Sequence, residues 1–342
     1  MAHAAIAALD LDLRGLTVLT EAATGPFSLT ASLAALAGAE RVYILARSGP
    51  HGSVDQAVSE TVSAAAVFRC SERVTVLASR DDPRVGEADL ITNLRGVRPL
   101  DKLFIARLKP TAVIPLMFES WEFRPDDLDL PACRARGIIV LGTNESDPRV
   151  DVLSYVGPVV LKLLLEAGIE LLHSKVLVLG SGVFAEIASS SLRSAGAEVH
   201  NFRVTDCGQL TESKSRNILG SADALLVAEH VDRMLLIGEK RGLDPITVAE
   251  ANPGLVVVHL AGNVDRKSVV DAGLTAYPTV FAPPGYMSVT TAYCGPAPLI
   301  RLHCAGLKVG EIAARARRAG LSPAAAETQA CRNQLCQPVA GR

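Results

Sequence analysis

Aromatic residues are scarce in this chain, with eight Phe, five Tyr and one Trp among 342 residues, so its core has to be aliphatic. With 49% hydrophobic residues, rich in Ala, Val and Leu, this composition fits parallel sheets covered by helices and disfavours a β-sandwich. An excess of charge is also missing: 34 basic and 36 acidic residues leave a net charge of −2, without long like-sign blocks. That excludes the electrostatic footprint of a nucleic-acid or anionic-membrane partner and makes a small molecule the expected ligand. The seven cysteines have no CxxC spacing, which argues against a disulfide framework or a zinc site. No metal is expected, and a reducing cytoplasm fits best. No cationic start precedes the short apolar run at the N-terminus, and no stretch reaches the roughly 18 charge-free apolar residues of a membrane span. Neither secretion nor insertion is expected.

The length is comfortable for two α/β domains, each with its own core. Short apolar strands alternate with helical segments over the first half: strands at 16–20, 41–46, 74–78, 90–92, 112–115 and 138–141, helices at 28–37 and 53–68. This alternation implies a parallel sheet, whose ligands bind outside the carboxyl ends of the strands. Residues 149–172 read as a helix that is apolar on nearly every face, which has to be buried between domains or between protomers and is the expected homodimer contact. A second series follows, with strands at 175–179, 198–202, 224–228 and 255–259 and a helix at 184–195. The expectation is an α/β protein of two Rossmann-like, doubly wound parallel-sheet domains, 1–148 and 149–299, joined by the long apolar helix. A final helix, 300–319, returns to the first domain, and a small-residue tail, 320–342, is expected to be loosely ordered.

One motif carries chemistry. Val176-Leu177-Val178-Leu179-Gly180-Ser181-Gly182-Val183-Phe184-Ala185 is GxGxxA directly after a strand and opening a helix. Gly180 allows the tight turn, Gly182 lets backbone approach a diphosphate, and Ala185 keeps helix and strand close. The phosphates are expected on the free N–H groups at the helix start, contributed by Ser181, Gly182, Val183 and Phe184. At the end of the next strand stands Arg203 instead of the carboxylate that grips NAD ribose hydroxyls. An Arg pairs with a 2′-phosphate, so NADP is preferred over NAD, unless Asp206 takes the acidic role.

This layout resembles the D-isomer-specific 2-hydroxyacid dehydrogenase superfamily, which includes formate and glycerate dehydrogenases. The resemblance implies a substrate domain, a linking helix, a dinucleotide domain and a returning C-terminal helix, with hydride transfer in the cleft between the domains. The family's catalytic Arg falls where this chain reads Leu260-Ala261-Gly262, and its Glu and Pro-His pair are absent around Ala282 to Met287. Ordinary 2-hydroxy-acid oxidation therefore lacks its carboxylate clamp and its proton carrier.

Replacement chemistry has to come from residues just past the strand ends. In the second half these are Glu229, His230 and His259, either His being a proton carrier or a structural hydrogen-bonded residue, with Glu229 and Asn263 also facing the cofactor. In the first half, Glu119, Trp121, Glu122 and Arg124 suit a polar or cationic ligand, or form a surface loop with local salt bridges. Asn93 and Asn144 both follow strands in Thr-Asn pairs, where Asn serves either a turn or a ligand. Arg98 is an anchor for an anionic substrate, Glu145 a candidate catalytic carboxylate, Glu21 a substrate contact in a small-residue turn, and Tyr286 a substrate contact or proton donor. The leading reading is an NADP-dependent oxidoreductase acting on a small polar metabolite. The alternatives are a lyase or hydrolase with tightly bound dinucleotide, like adenosylhomocysteinase, and a non-catalytic dinucleotide sensor.

Overall fold

The computed structural model describes residues 1–205, 213–230, 232–238, 242–284 and 286–339. The chain divides into two units, 1–152 together with 296–342, and 153–295. The first unit opens with α1 (Ala2–Ala8), β1 (Thr17–Glu21), α2 (Thr30–Leu36), β2 (Arg41–Leu45), α3 (Val54–Val67), β3 (Val74–Val76) and β4 (Leu90–Ile91). It continues with α4 (Lys102–Arg107), β5 (Val113–Pro115), α5 (Leu130–Arg136) and β6 (Ile139–Thr143). The second unit contains α6 (Val156–Glu166), β7 (Lys175–Leu179), α7 (Gly182–Ser194), β8 (Glu198–Phe202), α8 (Ser213–Gly220) and β9 (Ala224–Val227). It ends with α9 (Pro245–Ala251), β10 (Val256–His259), α10 (Arg266–Asp271) and β11 (Thr275–Tyr277). The chain then supplies α11 (Ala297–Arg318), α12 (Pro323–Ala330) and β12 (Cys336–Pro338) to the first unit.

Each unit carries one sheet. The first has the order β12-β6-β5-β4-β1-β2-β3, parallel except for β12, and the second β11-β10-β9-β7-β8, parallel throughout. Strand order reverses between β1 and β4 in one sheet and between β7 and β9 in the other, the two places where open α/β sheets bind ligands. The apolar strands belong here because alternate residues serve opposite helical layers. Val18, Val42, Ile44 and Leu90 enter one core of the first sheet, and Leu19, Tyr43, Leu45 and Ile91 the other. In β7, Val176 and Val178 take one face and Leu177 and Leu179 the opposite one, all fully buried. Each such side chain stabilises its unit by about 2 kcal/mol relative to exposure.

Two expectations are corrected. The apolar stretch 149–172 forms a helix only over Val156–Glu166, preceded by a 3-10 turn at Leu153–Tyr155 and by Asp151 at a positive φ of 49°. Its apolar side (Val156, Val159, Val160, Leu163, Leu164) packs inside the second unit with residues of α7, while Leu165 and Leu172 are exposed. Over its described residues, 320–339, the tail carries regular elements: α12 packs on α11, burying Ala326 and Ala330, and β12 pairs antiparallel with β6 while Leu335 and Cys336 are buried. The last helix of the first unit's core begins at 297, earlier than expected, because Pro298 is tolerated in a first turn whose N–H groups have no helical partner.

Candidate functional site

The Gly-rich turn joins β7 to α7 beside the reversal point of the second sheet. Gly180 abuts the β9 exit so closely that a Cβ would lie 2.8 Å from Ala228 C and Glu229 N. Gly182 has φ +76°, a conformation costly for any residue with a Cβ. Ser181 is extended and caps nothing with its side chain, and its own N–H donates to Glu229 Oε2 at 2.9 Å. The first-turn N–H groups of Gly182, Val183 and Phe184 have no acceptor among the described residues. Ala185 is buried in the layer between α7 and the sheet, as the motif requires.

Glu229 is buried and serves as a brace. Its Oε1 accepts the N–H groups of His230 and Asp232, both at 3.0 Å, so one carboxylate ties the turn to the segment after β9. His230 stacks on Phe184 with ring centroids 4.0 Å apart, and its Cε1 would lie 3.3 Å from a Cβ at Gly182. Burial holds its pKa below the ordinary value, so the ring beside the turn is neutral near pH 7. Arg203 follows β8, is exposed, and has no ion-pair partner among the described residues. Asp206, the alternative ribose contact, and Gly285 lie outside the described residues.

Two sequence candidates in this unit are buried and hydrogen-bonded to the fold. His259 is fully buried and stacked on Phe281; Nε2 donates to Pro278 O at 2.8 Å, and Nδ1 accepts from Ser288 Oγ at 2.6 Å. The carbonyl can only accept, which fixes the tautomer. Burial pushes this His down to about 4, and with both nitrogens committed it is not a proton carrier. Asn263 is fully buried; its Nδ2 donates to Asp232 O and Met234 O, which holds the 232–237 loop, and its Oδ1 has no hydrogen-bond partner among the described residues. Tyr286 is 41% exposed, and its carbonyl accepts the Gly262 N–H.

The first unit gathers the other candidates at the carboxyl ends of β1, β4, β5 and β6. A 3-10 turn, Ser120–Glu122, lies on β6 at Gly142, where a Cβ would be 2.6 Å from Ser120 N. From β12, Gln337 Oε1 accepts the Ser120 N–H at 2.9 Å, so the tail supports this turn. Glu119 is tied into this turn: Oε2 accepts Trp121 Nε1–H and Oε1 accepts the Glu145 N–H. Burial is the first cause raising both Glu122 and Glu145 above the carboxylate range, reinforced by Glu119 beside each; Arg124 opposes this at Glu122. Arg98 pairs with Asp127 at 2.8 Å and lies over the Phe118 ring, with Arg124 at 4.0 Å from the same Asp. Asn144 is the turn residue of the two, its N–H and Nδ2 donating to Leu335 O and Gln334 O, so it leaves the substrate set. Asn93 is the other kind: Oδ1 accepts the Met117 N–H and Nδ2 has no acceptor among the described residues.

Sequence reasoning passed over two groups here. Thr20 and Thr92 join their buried hydroxyls at 2.9 Å across β1 and β4, and His303 of α11, buried, donates Nδ1–H to Thr30 Oγ1 at 2.7 Å. The Thr30 hydroxyl proton is spent on Phe27 O, which sets the direction of that bond. No group of three or more His, Cys, Asp or Glu side chains among the described residues is placed to hold a metal ion, and no helix among them is long and apolar enough to cross a membrane.

Two Rossmann-type sheets, with a GxGxxA turn at one reversal point, are a fold that this chain shares with solved structures at low sequence identity. A dipicolinate synthase polypeptide from Bacillus halodurans shares it with a TM-score of 0.54 and 12% identity, over 86% of this chain and 96% of that one. Its namesake from Bacillus subtilis aligns with a TM-score of 0.52 and 13% identity, over 91% of this chain and 100% of that one. A 2-hydroxyacid dehydrogenase from Ketogulonicigenium vulgare aligns with a TM-score of 0.48 and 14% identity, over 91% and 98%. No protein-family model and no curated protein matches the sequence.

Proposed function

We propose that the protein is a nicotinamide-dinucleotide-dependent oxidoreductase acting on a small polar metabolite, with NADP preferred. The observation that carries this reading is the start of α7, where three amides without acceptors among the described residues stand at a glycine turn too tight for side chains. Such a turn fits a diphosphate, which accepts these N–H groups and meets the positive end of the helix. A bound nicotinamide supplies hydride transfer.

The protein's own residues do the rest. Gly180 and Gly182 keep the turn open to backbone approach, and Glu229 holds Ser181 in its extended conformation. Arg203, exposed after β8, is the cation for a 2′-phosphate. Glu122, raised to about 7 by burial and by Glu119 against the pull of Arg124, is the group suited to exchange a proton with substrate near neutral pH, with Glu145, raised by burial and by the charges of Glu122 and Glu119, beside it. The test is calorimetric titration of purified protein with NADPH and NADH. The reading requires NADPH to bind at micromolar concentration and more tightly than NADH; indifference to both nucleotides refutes it.

A further inference from the structure

One ionisable side chain beside the Gly-rich turn has no part in the chemistry proposed above. His230 lies just past the end of β9, and two contacts place its ring. It stacks on Phe184, in the first turn of α7, with ring centroids 4.0 Å apart and planes 10° from parallel. Its Cε1 lies against Gly182, where a Cβ would stand only 3.3 Å away, so the missing side chain gives the ring its room. The backbone beneath the ring is fixed as well. The His230 N–H donates to Glu229 Oε1 at 3.0 Å, and Oε2 of the same carboxylate accepts the Ser181 N–H at 2.9 Å. One carboxylate thus holds both the segment that carries the imidazole and the turn it faces. A diphosphate accepting the amides of Gly182, Val183 and Phe184 would meet a helix end that this ring already touches at two of those three residues.

Burial outweighs the charge of Glu229, which favours the imidazolium, and keeps the ring neutral near pH 7. From α7 and the turn the ring meets Phe184 and Gly182, neither of them charged. A dinucleotide diphosphate brings two negative charges, to which the turn answers with N–H dipoles alone. An opposite charge within a few ångströms of a titrating group favours its charged form, by about one pKa unit or more. We infer that His230 is a diphosphate-binding residue that takes up a proton as the nucleotide docks, so that dinucleotide affinity rises as pH falls. The role rests on the dinucleotide reading above and deepens it, and it puts His230 at the diphosphate rather than at the atoms that exchange hydride. Nucleotide raises the proton affinity of the ring, so by linkage the gain in binding is fully present below the pKa of His230 in the free protein. It is lost as pH rises through the higher pKa in the complex.

The test is calorimetric titration of the full-length protein and of His230→Gln with NADPH at pH 6, 7 and 8, each in two buffers of different ionisation enthalpy, which counts the protons taken up. Titration of the NADPH 2′-phosphate is common to both proteins and cancels in their comparison. From pH 8 to pH 6 the wild type should gain about threefold or more in affinity over the variant, with proton uptake that the variant lacks. Circular dichroism verifies that the variant is folded, and a second measurement needs no variant at all. The ¹H–¹³C NMR signal of His230 Cε1–H, followed through pH, should titrate about one unit or more higher with saturating NADPH than without. ADP-ribose, which carries the diphosphate but neither nicotinamide nor 2′-phosphate, should produce the same shift at saturation. A His230 titration that nucleotide leaves unchanged or lowers, a shift with NADPH that saturating ADP-ribose does not reproduce, or equal proton uptake in folded His230→Gln overturns the inference and leaves the dinucleotide reading standing. Failure of NADPH to bind at any pH refutes both.

Discussion

Replacing Glu21 by Gln isolates what this buried carboxyl costs the fold. Burial pushes its carboxyl from 4.5 up to about 7, opposed by the Gly96 N–H and by the charges of Arg98 and Arg95. The folded state then holds a proton that the unfolded state has released throughout the interval between those values. Stability from this group is fully present below pH 4.5 and is lost as pH rises through 7. From the shift of 4.5 to about 7, the wild type should lose about 2–3 kcal/mol between pH 5 and pH 8 through Glu21 alone. Gln keeps an oxygen for the Gly96 N–H and cannot ionise, so this slope should vanish in the variant. Other titrating groups act on both proteins alike, so the difference between them isolates residue 21. Urea unfolding at several pH values, at unchanged m, measures it. The variant should gain on the wild type as pH rises, and should be the more stable protein at pH 8. A stability difference that is flat with pH would mean that Glu21 ionises as an ordinary carboxylate, and the reasoning from burial would fail.

Gly182→Val, which forces a side chain into a positive-φ position against His230, should weaken NADPH binding by at least about tenfold and lower stability by about 1–2 kcal/mol, checked by calorimetry and melting. Arg203→Asp should weaken NADPH binding by about tenfold or more and leave NADH binding nearly unchanged, because only the 2′-phosphate needs the cation. His303 is pushed down to about 3 by burial, below the His value of 6.5, so its contribution is fully present above pH 6.5 and is lost as pH falls. His303→Asn should therefore flatten the acid limb of the stability profile by about 1.4 kcal/mol per pH unit over that interval. Removing residues 320–342 should destabilise the first unit by several kcal/mol and redden Trp121 fluorescence, since β12 completes the sheet and holds the Ser120–Glu122 turn.

The β7-turn-α7 unit was legible because its signals are local: a run of apolar strand residues, glycines at fixed spacing, and a helix start. The separate roles of Asn93 and Asn144 were not, because only the fold brings Gln334 and Leu335 onto one of them and Met117 onto the other. His259 read as a proton carrier for the same reason; the groups that commit it, Pro278 and Ser288, stand 19 and 29 residues away. The stretch 149–172 misled because apolar composition does not register breaks, here Asp151 in a left-handed conformation and Gly168 at φ +86° beyond the helix end. The tail misled in the opposite direction. Ala-rich α12 has no apolar stripe to mark it, yet Ala326 and Ala330 are small enough to pack fully buried. Its small side chains suit close packing of helix on helix, which composition alone does not distinguish from a loose segment.

The most direct test follows the backbone amides of Gly182, Val183 and Phe184 by ¹⁵N NMR during titration with NADPH. If a diphosphate docks on the start of α7, these three resonances should shift most, together and saturably, and the Ser181 amide, already bonded to Glu229, should shift less. Resonances that stay in place while nucleotide binds elsewhere, or that do not respond at any concentration, would contradict the account.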